Sequence, residues 1–334
     1  MNRLDQIFEG LRGARPEVLP SKYWEELNRT NLEQLAAKGY DTFKQTLALN
    51  YFTFLVSWSD VQLKFLRAQL PLDVLIPCAI ESGFRGKHPG LSWKKSVMYT
   101  YLTLLLWEFA RRTLPAGVMD GLVEPEEGGP FRITRGGRCV SQDLANSAIE
   151  VFAMRDPDST EHSGKVVLEL GAGYGRTAFA YQKLIRPTTR YIIVDIPPAL
   201  YVAERYLSSL FHDKRIFAYR PFSTFDEVRV EFESSDIAFL LPNQLSLLPD
   251  KSVDLFVNIS SLHEMRMDQI TYYFGEIDRL TRGLFYFKEW KLSRIPFENV
   301  EIRETDYPVR GTWQRVFHRE CRVQTPFFEA LYRI

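Results

Sequence analysis

The sequence predicts an α/β protein: a Rossmann-like, doubly wound, mostly parallel sheet preceded by a helical N-terminal domain. Two observations carry the prediction. From Ser141 onward, short apolar runs alternate with amphipathic stretches of helical length, the pattern of parallel strands joined by crossover helices. One of those runs, Lys165-Val-Val-Leu-Glu-Leu170, breaks directly into Gly171-Ala-Gly-Tyr-Gly175 ahead of a helix, the turn through which such sheets bring backbone close to a ligand. Upstream, helical spacing dominates. The glycine- and proline-rich stretch from Pro115 to Gly137 marks a linker, lid or hairpin and places the boundary between residues 1–140 and 141–334.

Taken in order, Ser21-Lys-Tyr-Trp-Glu-Glu-Leu opens a helix on a capping serine, and Gly39 is placed to end it. A longer pattern runs from Thr42 to Leu70 and stops at Pro71, and another from Trp93 to Arg112 stops before Pro115. Ser141 caps the helix that leads into the sheet. Strands are expected at Lys165–Leu170, Tyr191–Asp195, Ile237–Leu241, Val253–Asn258 and Leu284–Lys288, with helices at Gly175–Leu184, Ala199–Leu210 and Met267–Leu280. A last strand, Phe327–Arg333, is expected antiparallel at the edge.

Composition narrows the function classes. Lys plus Arg and Asp plus Glu number 42 each, so there is no basic surplus of the kind that phosphate-binding surfaces need, and nucleic acid is not expected as a partner. Three scattered cysteines without CxxC spacing suit a reducing cytoplasm. The polar N-terminus lacks the apolar core of a signal peptide, and the apolar run Met98–Trp107 is too short to span a bilayer, so it is expected as a buried helix with no membrane role.

The chemistry concentrates at the predicted strand ends. Glu169 precedes a GxGxG turn rather than GxGxxG, and an acid beside a pyrophosphate would be repelled, which disfavours a nicotinamide dinucleotide. The same acid suits a ligand carrying a sulfonium and an amino group. Asp195 closes the second strand, where a carboxylate can accept both hydroxyls of an adenosine ribose. After the third strand, Asn243 or Gln244 can offer a side-chain carbonyl to an adenine amine, or simply form a turn. After the fourth, Asn258-Ile-Ser-Ser-Leu-His-Glu-Met265 sets His263 and Glu264 at the mouth of the expected cleft. Histidine is the side chain best matched to removing a hydroxyl proton near neutral pH, and Glu264 can orient it or face a substrate hydroxyl. The two are adjacent and no complete ligand set surrounds them, so no metal is expected.

Together these residues resemble class I S-adenosylmethionine-dependent methyltransferases, through Glu169-Leu-Gly-Ala-Gly-Tyr-Gly175, Asp195 and Pro249-Asp-Lys-Ser-Val-Asp254. The chain is similar, more closely, to bacterial sugar O-methyltransferases, through Tyr191-Ile-Ile-Val-Asp-Ile-Pro-Pro-Ala-Leu200, Asn258–Met265, Lys22-Tyr-Trp-Glu-Glu-Leu27, Gly39-Tyr-Asp-Thr-Phe-Lys44 and Ser141-Gln-Asp-Leu-Ala-Asn-Ser147. The resemblance implies a methyl donor held by Glu169, Gly171, Ala172, Gly173, Tyr174, Asp195, Ile196 and Asn258, with Asn243 or Gln244 at the adenine. It further implies S-adenosylhomocysteine as product and a small-molecule acceptor, sugar or glycosylated. Gln142 and Asn146, with Asp143 and Ser147, can grip a polyhydroxylated acceptor or form a solvated helix face, and Trp290 can stack on a sugar ring. Trp313 and His318 lie in a later stretch that can reach the same cleft. The N-terminal helices would act as lid or homodimer surface. Two alternatives stay open: methylation of a polyketide or peptide hydroxyl or amine, and a non-catalytic protein that keeps the fold.

Overall fold

The computed structural model describes residues 2–46, 60–85, 87–158, 165–185, 190–295 and 299–334, so the middle of the helix expected from Thr42 to Leu70 lies outside the described residues. The chain opens with α1 (Arg3–Glu9), α2 (Lys22–Lys38), α3 (Phe43–Thr46), α4 (Asp60–Gln69), α5 (Leu72–Phe84) and α6 (Trp93–Thr113), followed by a hairpin of β1 (Ile133–Arg135) and β2 (Arg138–Val140). Local chemistry sets their ends. Ser21 caps α2 by accepting from the Trp24 N–H, and Gly39 ends that helix in the left-handed region at φ 72°. Gly136 and Gly137, both at positive φ, make the hairpin turn, so the loose segment after Pro115 closes as a hairpin.

The second half contributes α7 (Gln142–Ala153), β3 (Val167–Leu170), α8 (Arg176–Leu184), β4 (Tyr191–Val194), α9 (Ala199–Leu210), β5 (Ile216–Phe217), α10 (Arg229–Ser234), β6 (Ile237–Leu240) and β7 (Val253–Ile259). It continues with α11 (Met267–Leu280), β8 (Thr281–Trp290), β9 (Leu292–Ile295), β10 (Val300–Arg303), β11 (Gln314–Glu320) and β12 (Phe327–Arg333). One eight-stranded sheet runs in the order β11-β12-β8-β7-β3-β4-β6-β5. Pairing is parallel from β5 to β8, and β12 and β11 close the other end antiparallel. This is the Rossmann-like, doubly wound architecture that the strand–helix alternation predicts. The edge differs from expectation: β12 lies between β8 and β11, and β11 is the outer strand. Its sequence, Gln-Arg-Val-Phe-His-Arg-Glu, carries charges because only one side of it is paired.

Each face of the sheet buries its own apolar layer. On one, a continuous cluster runs from Ile7 and Phe43 through Leu104–Leu106 of α6 to Val167, Tyr191 and Ile193, so the helices before residue 140 share a core with the sheet. The helix α6 is enclosed from Tyr99 to Ala110 and packs against α4, α5 and α7, which explains its lack of a polar face. The other face stacks Phe274, Phe285, Phe287 and Phe328 with Trp313, whose indole donates to Asp278 at 2.8 Å. His318 lies flat on Phe328 and pairs with Glu304. Trp313 and His318 therefore serve this packing layer and are not part of the cleft wall.

After β3 the chain builds β4 on one side and β7 on the other. Such a reversal opens a crevice beyond the carboxyl ends of the strands. The glycine turn lies there.

Candidate functional site

A cleft of roughly 400 Å³ occupies that crevice. Its floor is the turn after β3. Gly171 and Gly173 adopt φ of 75° and 59°, and Gly175 starts α8 at φ 86°. At Gly171 the lack of a side chain is obligatory, since a Cβ there would lie 2.3 Å from Ser261 Oγ. Asn258 braces the same turn, its Nδ2 donating to Leu170 O at 2.9 Å and to Ser261 Oγ at 2.7 Å.

Two carboxylates flank the turn. Glu169, buried at the end of β3, accepts from the Tyr191 hydroxyl at 2.8 Å. Burial pushes its carboxyl up to about 7, against the hydrogen bonds from Tyr191 and Thr177 and the charge of Arg176. Asp195 follows β4. Its Oδ2 accepts from Gly173 N and its Oδ1 from Ile196 N, both at 2.7 Å, which fastens one loop to the other. Burial pushes Asp195 up to about 7 as well, with Glu169 and Glu264 adding to the effect and the two N–H donors opposing it. Each Asp195 oxygen keeps a further lone pair.

His263 and Glu264 stand on the loop after β7 and line the same cleft. The His263 ring is held by Glu289, a fully buried residue of β8. Glu289 Oε2 meets His263 Nδ1 at 2.5 Å and accepts from His263 N at 3.2 Å, while Oε1 accepts from Ser261 N and Leu262 N at 3.2 and 3.1 Å. With Nδ1 facing a carboxylate, the proton of the neutral imidazole sits on Nδ1 and the lone pair on Nε2. Burial alone would lower the His263 pKa, but the Glu289 charge, its hydrogen bond and Glu264 outweigh burial, so His263 titrates above its ordinary value. Glu264 is pushed up to about 7, by burial first and by Glu289, while the charge of His263 and a hydrogen bond from Trp24 resist. Trp290 leans on the His263 ring at 5.7 Å and on Phe327 at 5.3 Å, and is 40% exposed.

The N-terminal helical region contributes to the cleft wall. Leu19, Pro20, Ser21 and Trp24 line it, and Ser21 Oγ donates to the Glu264 carbonyl at 3.3 Å. The opposite wall rests on a buried ionic network. Arg176 pairs with Glu150 at 2.6 Å, Glu150 also takes Lys288 at 2.8 Å, and Lys288 holds Gln324, which lines the cleft.

The structure thus brings Glu169, Gly171, Ala172, Gly173, Asp195, Ile196, His263, Glu264 and Trp290 to one cleft. Others lie elsewhere. Tyr174 turns beneath the loop, donating to Asp143 at 2.8 Å and packing on Phe43 and Tyr206. Gln244 is consumed by Leu241 N and Arg220 O, and Asn243 donates to Gly10 O, so Pro242 rather than either amide forms the wall there. Gln142, Asp143, Asn146 and Ser147 are buried, neither a solvated face nor part of the cleft wall, and Ser147 serves Arg176. Asn258 acts on the turn rather than on the cleft surface. The sequence reading missed Glu289, Tyr191, Trp24 and the Glu150–Arg176–Lys288 network. A usable signal existed for one pair: Lys288-Glu289 interrupts an apolar strand, and charges in a buried strand call for partners. Among the described residues, no group of three His, Cys, Asp or Glu is arranged to hold a metal ion, and no helix is long and apolar enough to cross a membrane.

No protein-family model matches the sequence, and no curated protein does. Solved structures with a similar fold include a protein of Pyrococcus horikoshii (PH0226), 15% identical over 55% of this chain and 87% of that one, with a TM-score of 0.39. A SAM-dependent methyltransferase from Aquifex aeolicus is 14% identical over 57% of this chain and 88% of its own, with a TM-score of 0.33. The 1,6-didemethyltoxoflavin-N1-methyltransferase of Burkholderia thailandensis, solved with S-adenosylhomocysteine, is 15% identical over 57% and 78%, with a TM-score of 0.38.

Proposed function

We propose that the chain is an S-adenosylmethionine-dependent O-methyltransferase that acts on a hydroxyl of a small sugar or glycosylated acceptor, with His263 as general base. The observation that carries this reading is the Glu289–His263 pair presented to the same cleft as Glu169, Asp195 and the glycine turn. The residues present fit the cofactor. At Gly171 a Cβ would strike Ser261, so only glycine lets the backbone lie against the cleft there, and the acids around it are raised toward neutrality because burial outweighs the hydrogen bonds they accept and, at Glu169, the charge of Arg176. Holding each of the two ionised at neutral pH costs about 3–4 kcal/mol relative to water, an outlay that a ligand bearing a sulfonium and an ammonium would offset.

When bound, the cofactor supplies an activated methyl group. Glu169 would take the amino-acid end, and Asp195 would accept the ribose hydroxyls while keeping the two loops together. His263 Nε2 takes the acceptor's hydroxyl proton. Glu289 keeps the Nδ1 proton in place and stabilises the imidazolium that results, the division of labour familiar from other carboxylate–histidine pairs. A donor already activated leaves alignment as the main task, and Trp24, Trp290 and Phe327 exclude water around it. Trp290 and the amide of Gln324 suit an acceptor with a ring face and several hydroxyls.

The reading is tested by assaying methyl transfer from labelled S-adenosylmethionine to a panel of methyl glycosides with wild type and His263→Ala. Turnover that His263→Ala lowers about 10²- to 10⁴-fold, with cofactor binding kept, supports the base role. Equal turnover by the two proteins removes it.

A further inference from the structure

Taking the proposed reaction as its premise, we infer that the acceptor is a vicinal diol whose two adjacent hydroxyls are shared between His263 and Glu264, one to be methylated and the other to be held. His263 Nε2 and Glu264 Oε1 lie 3.6 Å apart on the cleft wall. That is too long for a hydrogen bond, and although the two attract as an ion pair when His263 is protonated, neither gives the other a donor once the imidazole is neutral. Both are acceptors at neutral imidazole, and two acceptors at that spacing match the two O–H donors of a gauche vicinal diol.

The two sites are not equivalent. Nε2 is the basic lone pair of a ring whose other nitrogen is pinned by Glu289, so the hydroxyl it faces is the one that loses its proton. Glu264 is steadied from the N-terminal region, by a hydrogen bond from Trp24 to its side chain and by Ser21 to its backbone, which suits a residue that positions a group without reacting. A lone hydroxyl would occupy Nε2 and leave the Glu264 carboxylate desolvated with no donor from the acceptor as the acceptor fills the cleft. Sites built around a hydroxyl reject analogues that lack it for this reason. Trp290 and Phe327, packed beside His263, supply the surface for the ring that carries both hydroxyls. Glu264 is thus a specificity-determining residue, and the neighbouring hydroxyl contributes binding without joining the chemistry.

The test compares kcat/KM for methyl pyranosides with that for the monodeoxy analogue lacking the hydroxyl next to the methylated position, which is first located by NMR of the product. Wild type, Glu264→Gln and Glu264→Ala are used, each shown to bind S-adenosylhomocysteine. The expected result is a loss of about 10- to 100-fold on deoxygenation in wild type, shrinking to within about threefold in Glu264→Ala, with Glu264→Gln between them. Equal turnover of diol and deoxy acceptors by wild type overturns the inference while leaving the methyltransferase reading standing. So does an undiminished deoxy penalty in Glu264→Ala. Absence of transfer to every pyranoside, by protein that binds the cofactor, overturns both the sugar reading and this inference.

Discussion

Replacing Glu289 by glutamine tests the geometry of the site with the least change in shape. The carboxylate accepts four hydrogen bonds: from Ser261 N and Leu262 N on one oxygen, and from His263 N and Nδ1 on the other. An amide can accept at only one end. Its oxygen can serve two fixed backbone donors, at Ser261 and Leu262, or one fixed donor and the adaptable ring at His263, so the amide nitrogen is driven toward His263. There it opposes the His263 N–H, which costs about 1–3 kcal/mol of stability for an unmet buried donor. It also makes Nδ1 an acceptor and moves the imidazole proton to Nε2, the wrong tautomer for a base. Glu289→Gln should therefore lower kcat by about 10²- to 10⁴-fold with little change in the affinity for S-adenosylmethionine. The pH dependence should change as well. Glu289 raises the His263 pKa despite burial, so the stability this pairing adds is present below the unfolded histidine pKa and is lost as pH rises through the higher folded one. In the variant that loss should shift toward acid pH or vanish. The assays are steady-state kinetics and thermal melts from pH 5 to 9. A variant that folds and keeps kcat within about threefold of wild type would refute the role given to the pair.

Two further outcomes follow from the cleft. Glu169, Asp195 and Glu264 are all raised to about 7, so binding of a cationic ligand should release protons and weaken as pH falls from 8 to 6, while the unliganded protein gains stability over the same interval because the folded carboxyls take up protons first. Calorimetry in buffers of different ionisation enthalpy reads the proton release, and buffer-independent heats would contradict it. Gly171→Ala meets Ser261 Oγ at 2.3 Å in a backbone conformation that disfavours side chains, so it should cost about 1–3 kcal/mol and weaken cofactor binding, and a wild-type melting temperature with wild-type affinity would count against the cradle.

The fold was legible because its signals are local. Apolar runs mark β3, β4, β6, β7 and β8, serines cap α2 and α7, and glycines punctuate the turn after β3. The strands that escaped are those without such signals: β5 has two residues, β10 alternates apolar with charged side chains, and β9 and β11 mix polar, charged and apolar residues without an apolar run. Pro77 disguises α5, a helix held by packing on α6 despite its interior proline. At the site, the acids at strand ends were visible because their position along the chain fixes their position in space. Partners that meet only through tertiary packing were not: Glu289 lies 26 residues from His263, and Lys288 lies 138 from Glu150. Gln142, Asn146, Asn243 and Gln244 look like ligand groups in sequence because they are polar. In space, packing and backbone contacts bury or occupy them.

The most direct test is calorimetric titration of wild type and Asp195→Ala with S-adenosylmethionine and S-adenosylhomocysteine, each protein first shown to be folded by its melting curve. Saturable binding by wild type, weakened about 10- to 100-fold by loss of the two carboxylate hydrogen bonds in Asp195→Ala, is the predicted result. Folded wild type that binds neither compound, or Asp195→Ala that binds as tightly as wild type, would contradict the account.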